Sequence, residues 1–462
     1  MKITVIGLGR LGTVAAAGLA AAGHEVTGLD VDGQRVQALR KGRMPFYEPG
    51  LQECLTSAKG RGNLRFLQSE GYAACLGDIA LITAGTPTAA KGGPDLSQVR
   101  SALAWVRSRG RRDLVLVMKS TVPPGSGVEF LHEDLEGLDI DYAANPEFLR
   151  EGRALQDWFY PDRIVLGADS GSGKAVSAVR EMYSGIESPF LVTGITSAEM
   201  IKYANNAFLA TRISFINEMA ALCDAVGASI DAVSEGVALD GRTGARVLAG
   251  VGYGGSCLPK DIRALKHLAK SAGLDPGLLR AVASVNDQQR RLPLEKLNSR
   301  FRGRLEGLQI GVLGLAFKPG TDDVREAASL ELIRELAERG AKVRAFDPRA
   351  TAPAREMLPP DVCFAESAEE TAAGAHALIL LTEWEDIVRA DWAAMAGQML
   401  PPRYMFDGRN ALDTRLMFRL GFEYAGVGRG GADRAYAKGD IQDFSQLAPA
   451  ALTRPIPVFK GL

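Results

Sequence analysis

The chain has 462 residues, enough for two or three domains that each bury a sizeable core. Charged residues make up 24% and apolar residues 46%, as in an ordinary globular protein, and 54 Lys and Arg stand against 55 Asp and Glu for a formal net charge of -1. That balance excludes a global field that would draw the chain to nucleic acid or to a membrane surface, so any anion it binds has to be gripped locally.

The first residues, MKITVIGLGR, read at once as a buried strand rather than a secretory leader, and no apolar run is long enough to span a bilayer. Five cysteines (Cys54, Cys75, Cys223, Cys257 and Cys363) are odd in number and scattered, which fits neither a disulfide framework nor a zinc site. A reduced, cytoplasmic setting with no bound metal is expected. Short β-branched runs then alternate with Ala/Leu-rich stretches: KITVIG, LGTVAAAGLAAAG and EVTGLD, followed by DIALIT, LVLVMKST and DYAANP. This is the rhythm of a parallel sheet with crossover helices.

Gly7, Gly9 and Gly12 form GLGRLG between the first strand and its helix. A tight turn, a close backbone approach and helix–strand packing each require a missing side chain there, and the helix N-terminus then faces a pyrophosphate. Asp30 ends the next strand, where a carboxylate bonds a ribose diol and repels a 2′-phosphate; NAD is therefore expected over NADP, with Arg35 as the neighbouring charge. KSTVPPGS puts Ser120 and Thr121 at the end of an apolar strand, the edge at which doubly wound sheets bind ligands. In NPEFLREG, Glu147 and Glu151 lie one turn apart if a helix begins after the proline.

From about Ser197 the pattern becomes one long helical stretch, without Pro or Gly until Gly227, which suits a connector between domains or a dimer seam. Lys202 and Asn206 share one of its faces. GYGGSCLPKD, residues 252–261, sets Cys257 after Gly254, Gly255 and Ser256, and Pro259 suits the first turn of a helix. A thiol at a helix N-terminus beside Lys260 is expected to have a lowered pKa, with Asp261 four residues on and on the same face; the alternative is a small buried hydrophobe. LQIGVLGLAFKPGTDDVRE restarts the strand, turn and helix pattern, so IGVLGLAF and KVRAFD echo ITVIGLGR and EVTGLD. The expected fold is α/β: doubly wound, Rossmann-like domains at 1–196 and 301–440, a helical segment at 197–300 carrying the cysteine loop and the long central helix, and a tail at 441–462.

GLGRLG, YEPGL, GTPT, STVPPG, NPEFLREG, PDRIV, IKYANNAFLATRISFINE, GYGGSCLPKD, GLAFKPGTDDVRE and FDGRN follow one another in an order that resembles the UDP-glucose/GDP-mannose dehydrogenase family. The resemblance implies oxidation of the primary alcohol of a nucleotide sugar to a carboxylate, with two NAD reduced per sugar and Cys257 forming first a thiohemiacetal and then a thioester. It implies that Lys202 and Asn206 stabilise the oxyanion, that Asp261 and Thr121 handle a water, and that Glu147 acts as general base or assists hydrolysis. Arg10, Leu11, Thr86, Ser120, Glu151, Lys260 and Arg325 fall at positions that hold the cofactor. Phe148, Leu149, Arg150, Tyr253, Gly254, Phe317, Lys318 and Arg409 fall at positions that hold UDP and the sugar. Arg242 matches an arginine that enters the site of the partner subunit in a homodimer.

Phe148 and FDGRN point to the UDP-glucose branch, whereas Leu258 and LPKD are seen in the GDP-mannose branch, and Ala328 and Thr243 depart from the commoner proline and isoleucine. GDP-mannose or a UDP-N-acetyl-hexosamine is thus the alternative substrate. A non-catalytic nucleotide sensor needs no Cys257, Lys202, Asn206 and Asp261 together, and a single-step hydroxy-acid dehydrogenase needs no thiol and no second α/β domain.

Overall fold

The computed structural model describes residues 1–69, 76–90, 92–109, 113–169 and 172–430. Cys75, the expected tail at 441–462 and the last ten residues of the 301–440 segment lie outside these. Among the described residues fourteen strands form two sheets. The first contains β1 (Lys2–Ile6), β2 (Glu25–Asp30), β3 (Leu64–Gln68), β4 (Ile79–Ile82), β5 (Leu114–Met118), β6 (Ile140–Ala144), β7 (Ile164–Gly167) and β8 (Phe190–Thr193), in the order β3-β2-β1-β4-β5-β6-β7-β8. The second contains β9 (Gln309–Leu313), β10 (Lys342–Phe346), β11 (Cys363–Phe364), β12 (Ala377–Leu380), β13 (Tyr404–Asp407) and β14 (Glu423–Gly426), in the order β11-β10-β9-β12-β13-β14.

In both sheets the strand order reverses between the first and fourth strands, which run parallel, and this is the switch point at which such folds bind ligands. One expectation needs correction: the first sheet is not wholly parallel, because β6 meets β7 in an antiparallel step at Ala144 and Gly167. Residues 145–163, with the short helix Ala154–Phe159, bring the chain back beside β6 in the opposite direction. Central strands such as β4, β5 and β12 are buried along their whole length, as a sheet covered by helices on both faces requires.

The internal echo extends to individual hydrogen bonds. Gly7 N–H donates to Leu29 O at 2.8 Å and Gly314 N–H to Phe346 O at 2.8 Å; Leu8 N–H reaches Asp30 Oδ2 at 2.6 Å and Leu315 N–H reaches Asp347 Oδ2 at 2.7 Å. The copies then diverge. Asp347 also accepts from the amides of Ala316, Arg349 and Ala350 and from Trp384 Nε1, and so is bonded on every side by its own domain.

Between the sheets runs a helix of 32 residues, Ile195–Val226, roughly 48 Å long at 1.5 Å per residue, which ends at Gly227 in the left-handed conformation. It packs against the helices Leu258–Ser271 and Gly277–Phe301. Its outward face carries exposed Phe208, Phe215 and Leu222 at seven-residue intervals, with Val226 beside them. Among the described residues no helix is long and apolar enough to cross a membrane.

The two α/β domains touch across a cleft. Arg10 binds Asp322 at 2.5 Å, Tyr47 N–H donates to Asp322 Oδ2 at 2.9 Å, and the backbones of Gly152 and Gly320 approach so closely that an added Cβ on either would lie 3.0 Å from the other.

Candidate active site

A cavity of about 840 Å³ opens at the switch point of the first sheet and extends to the cysteine loop. Its floor is the GLGRLG turn. Gly7 has φ +99°, and a Cβ on Gly12 would lie 1.8 Å from Gly7 O, so these two positions exclude any larger residue. Gly9 differs: its φ of -66° suits any residue, yet a Cβ there would meet nothing within 4 Å, so the space before it is free for a ligand. No side chain caps the helix Arg10–Ala21, which leaves its first-turn amides for an anion. Arg10, Leu11, Asp30 and Arg35 line the same cavity. Asp30 accepts from Leu8 N–H and Asp32 N–H, and Arg35 reaches its Oδ2 at 3.0 Å. This carboxylate at the end of β2, the open floor at Gly9 and the uncapped helix fit a dinucleotide.

The opposite wall brings the reactive groups together. Thr86, Ser120, Thr121, Glu147, Glu151, Cys257, Lys260, Asp261 and Arg325 all line the cavity. Cys257 is the N-cap residue of the helix Leu258–Ser271, and its sulfur lies 3.6 Å from Ser256 Oγ. Lys202 and Asn206, from the long helix, are buried and hold two of these groups: Lys202 Nζ lies 3.2 Å from Glu147 Oε1, and Asn206 Nδ2 donates to Asp261 Oδ2 at 2.6 Å. Lys260 Nζ takes Asp261 Oδ1 at 2.7 Å and Thr86 Oγ1 at 3.5 Å, and Thr86 Oγ1 in turn donates to Thr121 O. Ser120 Oγ donates to Ala84 O.

Burial opposes the charge on Lys202, but Glu147, Cys257 and Asp261 outweigh it, so its pKa is raised and the ammonium is retained. The expectation of an acidified thiol is overturned. Burial pushes the Cys257 thiol up and Glu147 adds to this, while the Lys202 ammonium and the Ser256 hydroxyl pull the other way without prevailing. Lys260 is turned to Asp261, so the cation that favours the thiolate is Lys202.

NPEFLREG is also not helical: residues 145–150 form a loop outside any helix or strand, and the paired carboxylates part. Glu147 turns to Lys202 and accepts from Leu149 N–H at 2.6 Å. Glu151 accepts from Ser256 Oγ and Thr321 Oγ1 and lies 3.8 Å from both Arg10 and Arg325. Burial raises the pKa of Glu151, Asp323 adds to this, and the cations oppose it. Phe148 takes the Arg163 guanidinium 3.8 Å from its ring centre and the Lys202 ammonium at 5.3 Å. Arg150 points elsewhere, its backbone and guanidinium both on Asp157 beside a separate cavity of about 40 Å³, while Leu149 lines both spaces.

Lys318, also from the second domain, is close enough to feel Glu151, Glu48 and Cys257, and burial lowers its pKa against them. Arg409 donates to Leu381 O and Phe317 O at the switch point of the second sheet. Tyr253 is buried against Ala210, Ile262 and Val282 and is tied to the Asn286 amide. Gly254 and Gly255 make way for protein rather than for a ligand: a Cβ would meet Glu326 O at 2.3 Å from the first and the Phe317 ring at 2.7 Å from the second. Arg242 is not brought to this cavity; its side chain is 89% exposed and pairs with Asp240.

Sequence reasoning missed three buried charges around the site. Glu48 caps the amides of Gly152 and Ala154. Lys119 donates to Asn145 Oδ1 and Tyr183 OH, and burial pushes its pKa down to about 8. Glu199 accepts from the amide of Gly125, which closes STVPPG, and from that of Gly127 just beyond it. A lysine closing the apolar run LVLVM was a visible signal; Glu48 sat in YEPGL without a role, and Glu199 stood on the long helix two residues before IKYANN.

Residues 1–187 match the NAD binding domain of the UDP-glucose/GDP-mannose dehydrogenase family, 196–288 its central domain and 311–414 its UDP binding domain, so the dinucleotide of the cavity is NAD. A UDP-glucose 6-dehydrogenase of Bacillus subtilis is 42% identical over 434 residues, covering 93% of this chain and 98% of that protein. A UDP-glucose 6-dehydrogenase of Pseudomonas aeruginosa is 40% identical over 449 residues, covering 93% and 98%. The structure of a UDP-glucose dehydrogenase from Pyrobaculum islandicum superposes with a TM-score of 0.84 at 40% identity over 92% of this chain and 97% of that one. That of a UDP-D-ManNAc dehydrogenase from Pyrococcus horikoshii gives 0.81 at 27% over 93% and 100%. With all three of its parts matched in order, and with relatives this similar over nearly the whole length, the chain belongs to the UDP-glucose/GDP-mannose dehydrogenase family.

Proposed function

We propose that this protein oxidises the C6 alcohol of UDP-glucose to the carboxylate of UDP-glucuronate in two steps at Cys257. The observation that carries this is the shared cavity: Cys257 and the GLGRLG turn line one space, so a thiol and a dinucleotide reach the same carbon. NAD, when bound, supplies the acceptor for each of the two hydrides. The sugar is assigned from the relatives of about 40% identity, which are UDP-glucose dehydrogenases.

The residues account for the proton and charge movements. Glu147, as general base, takes the alcohol proton and passes it to solvent, while Lys202, kept charged, and Asn206, aimed by Asp261, stabilise the alkoxide as it is oxidised. The thiol is protonated at rest, so it adds to the aldehyde with its proton passing to the new hydroxyl, giving a thiohemiacetal. Loss of the second hydride and of the hydroxyl proton leaves a thioester. Water, oriented by Asp261 and Thr121, then attacks the thioester carbon as Glu147 takes one of its protons; the C–S bond breaks, the acid is released, and the Cys257 sulfur leaves as thiolate and takes that proton back from Glu147. Arg10, Asp30, Ser120, Glu151 and Arg325 hold the cofactor, and Phe148, Lys318 and Arg409 grip the UDP-sugar.

A homodimer is part of this proposal. Phe208, Phe215, Leu222 and Val226 form the apolar stripe a second long helix would cover, and the exposed Arg242 would exchange its surface partner Asp240 for the partner's site. The free thiols of Cys54, Cys223, Cys257 and Cys363 suit a reduced, cytoplasmic setting. Supplying Cys257→Ala with UDP-glucose and NAD tests the chemistry. The variant is expected to bind NADH but to form no UDP-glucuronate, and acid made at near-parental rate with two NADH per sugar would falsify covalent catalysis.

A further inference from the structure

One face of the long helix carries a row of three buried polar residues, Glu199, Lys202 and Asn206, three and then four positions apart. Each ties a different segment of the active site to the helix: Lys202 holds the loop of Glu147, and Asn206 holds Asp261 on the cysteine helix. Glu199, 3% exposed, accepts from Gly125 N–H at 2.7 Å through one carboxyl oxygen and from Gly127 N–H at 2.8 Å through the other. These amides lie at the start of the helix Ser126–Glu133, directly after the loop that carries Ser120 and Thr121. The other end of that loop is pinned by Thr86 Oγ1 on Thr121 O and by Ser120 Oγ on Ala84 O. A cavity of about 10 Å³ joins Glu199 to Lys202, Ser120 and Thr121.

We infer that Glu199 is a positioning residue for the oxidation, fixing the Ser120–Thr121 loop against the nicotinamide end of the cofactor in register with Lys202. The carboxylate geometry is specific. Two N–H donors four and six residues beyond Thr121 meet two acceptors, so a side-chain amide of the same shape keeps one bond and turns an NH₂ group toward the second donor. Burial pushes the Glu199 carboxyl up to about 7 against the pull of both amides, a cost of keeping a carboxyl here rather than an apolar residue. The inference rests on the proposed oxidation for its kinetic arm and on the NAD site alone for its binding arm.

Glu199→Gln tests it. NADH and ADP-ribose, which lacks the nicotinamide, are titrated against parent and variant, and UDP-glucose turnover is measured beside thermal unfolding. The expected result is unchanged ADP-ribose affinity, NADH affinity weakened roughly fivefold or more, and kcat lowered at least roughly tenfold with KM for the sugar little changed, as for a misplacement near 1 Å. NADH affinity and kcat within about twofold of the parent would overturn the inference, as would equal loss of ADP-ribose and NADH affinity, which marks general damage to the fold. Should Glu199→Gln fail to fold, Glu199→Asp, which keeps the charge and withdraws it by one methylene, is read by the same criteria. A parent that binds NADH but does not oxidise UDP-glucose overturns the proposed function, and the NADH and ADP-ribose comparison still decides the role of Glu199.

Discussion

Gly9 and Gly12 stand three residues apart in one turn, and alanine at each should fail in a different way. At Gly12 the new Cβ lies 1.8 Å from Gly7 O and 2.6 Å from Thr83 Oγ1, so it is about 1.5 Å inside contact distance of a backbone carbonyl. Neither obstacle is the end of a flexible side chain, and overpacking of this kind costs about 1–3 kcal/mol. Alanine's advantage over glycine inside a helix, about 1 kcal/mol, works the other way. A clash this deep with backbone belongs at the upper end of that range, so the net cost is about 2 kcal/mol, and with a domain of this size losing about 2–4 °C per kcal/mol a fall of about 4–8 °C in the unfolding temperature is expected. At Gly9 nothing lies within 4 Å, so stability should stay within about 0.5 kcal/mol of the parent. There the methyl group stands in the cavity floor, and NADH affinity should fall at least about tenfold, or about 1.4 kcal/mol. Thermal unfolding without ligand and NADH fluorescence titration separate the two effects. A Gly9→Ala protein that binds NADH like the parent, or a Gly12→Ala protein that melts at or above it, refutes the account of this turn.

Asp30→Ala should weaken NAD more than NADP, because it removes the ribose acceptor and frees Arg35, now 3.0 Å from Asp30, for a 2′-phosphate; kcat/KM for both cofactors checks this, and equal losses would count against it. Lys119 has a pKa of about 8 in the fold against 10.5 when exposed, so between those values the unfolded chain binds more protons and stability should rise with pH by up to about 1.4 kcal/mol per unit. Lys119→Met should remove that rise in urea unfolding at pH 8 and 9.5, and an unchanged slope would exclude Lys119 as its source. Arg242→Ala should lose activity although its own Cys257 is intact, and mixing it with Cys257→Ala chains should restore part of it; a fully active monomer by sedimentation rules the shared site out.

The GLGRLG turn, Asp30 and the echo at IGVLGLAF were legible because a turn that excludes side chains, and a carboxylate at a strand end, are local requirements that leave fixed residue types. The long helix was legible from its uninterrupted pattern up to Gly227. Short strands such as β8 (Phe190–Thr193) and β11 (Cys363–Phe364) were not, since two to four residues carry no period. The pairing of Glu147 with Lys202 and the drift of the Cys257 thiol toward its neutral form were hidden for another reason. Spacing along the chain reports neither burial nor partners distant in sequence, and i, i+4 spacing suggested a helix at Glu147–Glu151 where the chain forms a loop in which Glu147 accepts from Leu149 N–H.

The satisfied carboxylate of Asp347 fixes the stoichiometry of the enzyme. In the first domain the matching Asp30 opens on the cavity, whereas Asp347 is sealed by four amides and the Trp384 indole, so the repeat does not supply a second clasp for adenosine. Each chain thus seats one dinucleotide at a time, while the proposed oxidation consumes two. On that proposal spent cofactor leaves and fresh cofactor enters midway through a turnover, and the proposed bond to Cys257 would keep the half-oxidised sugar from escaping as a free aldehyde during the exchange.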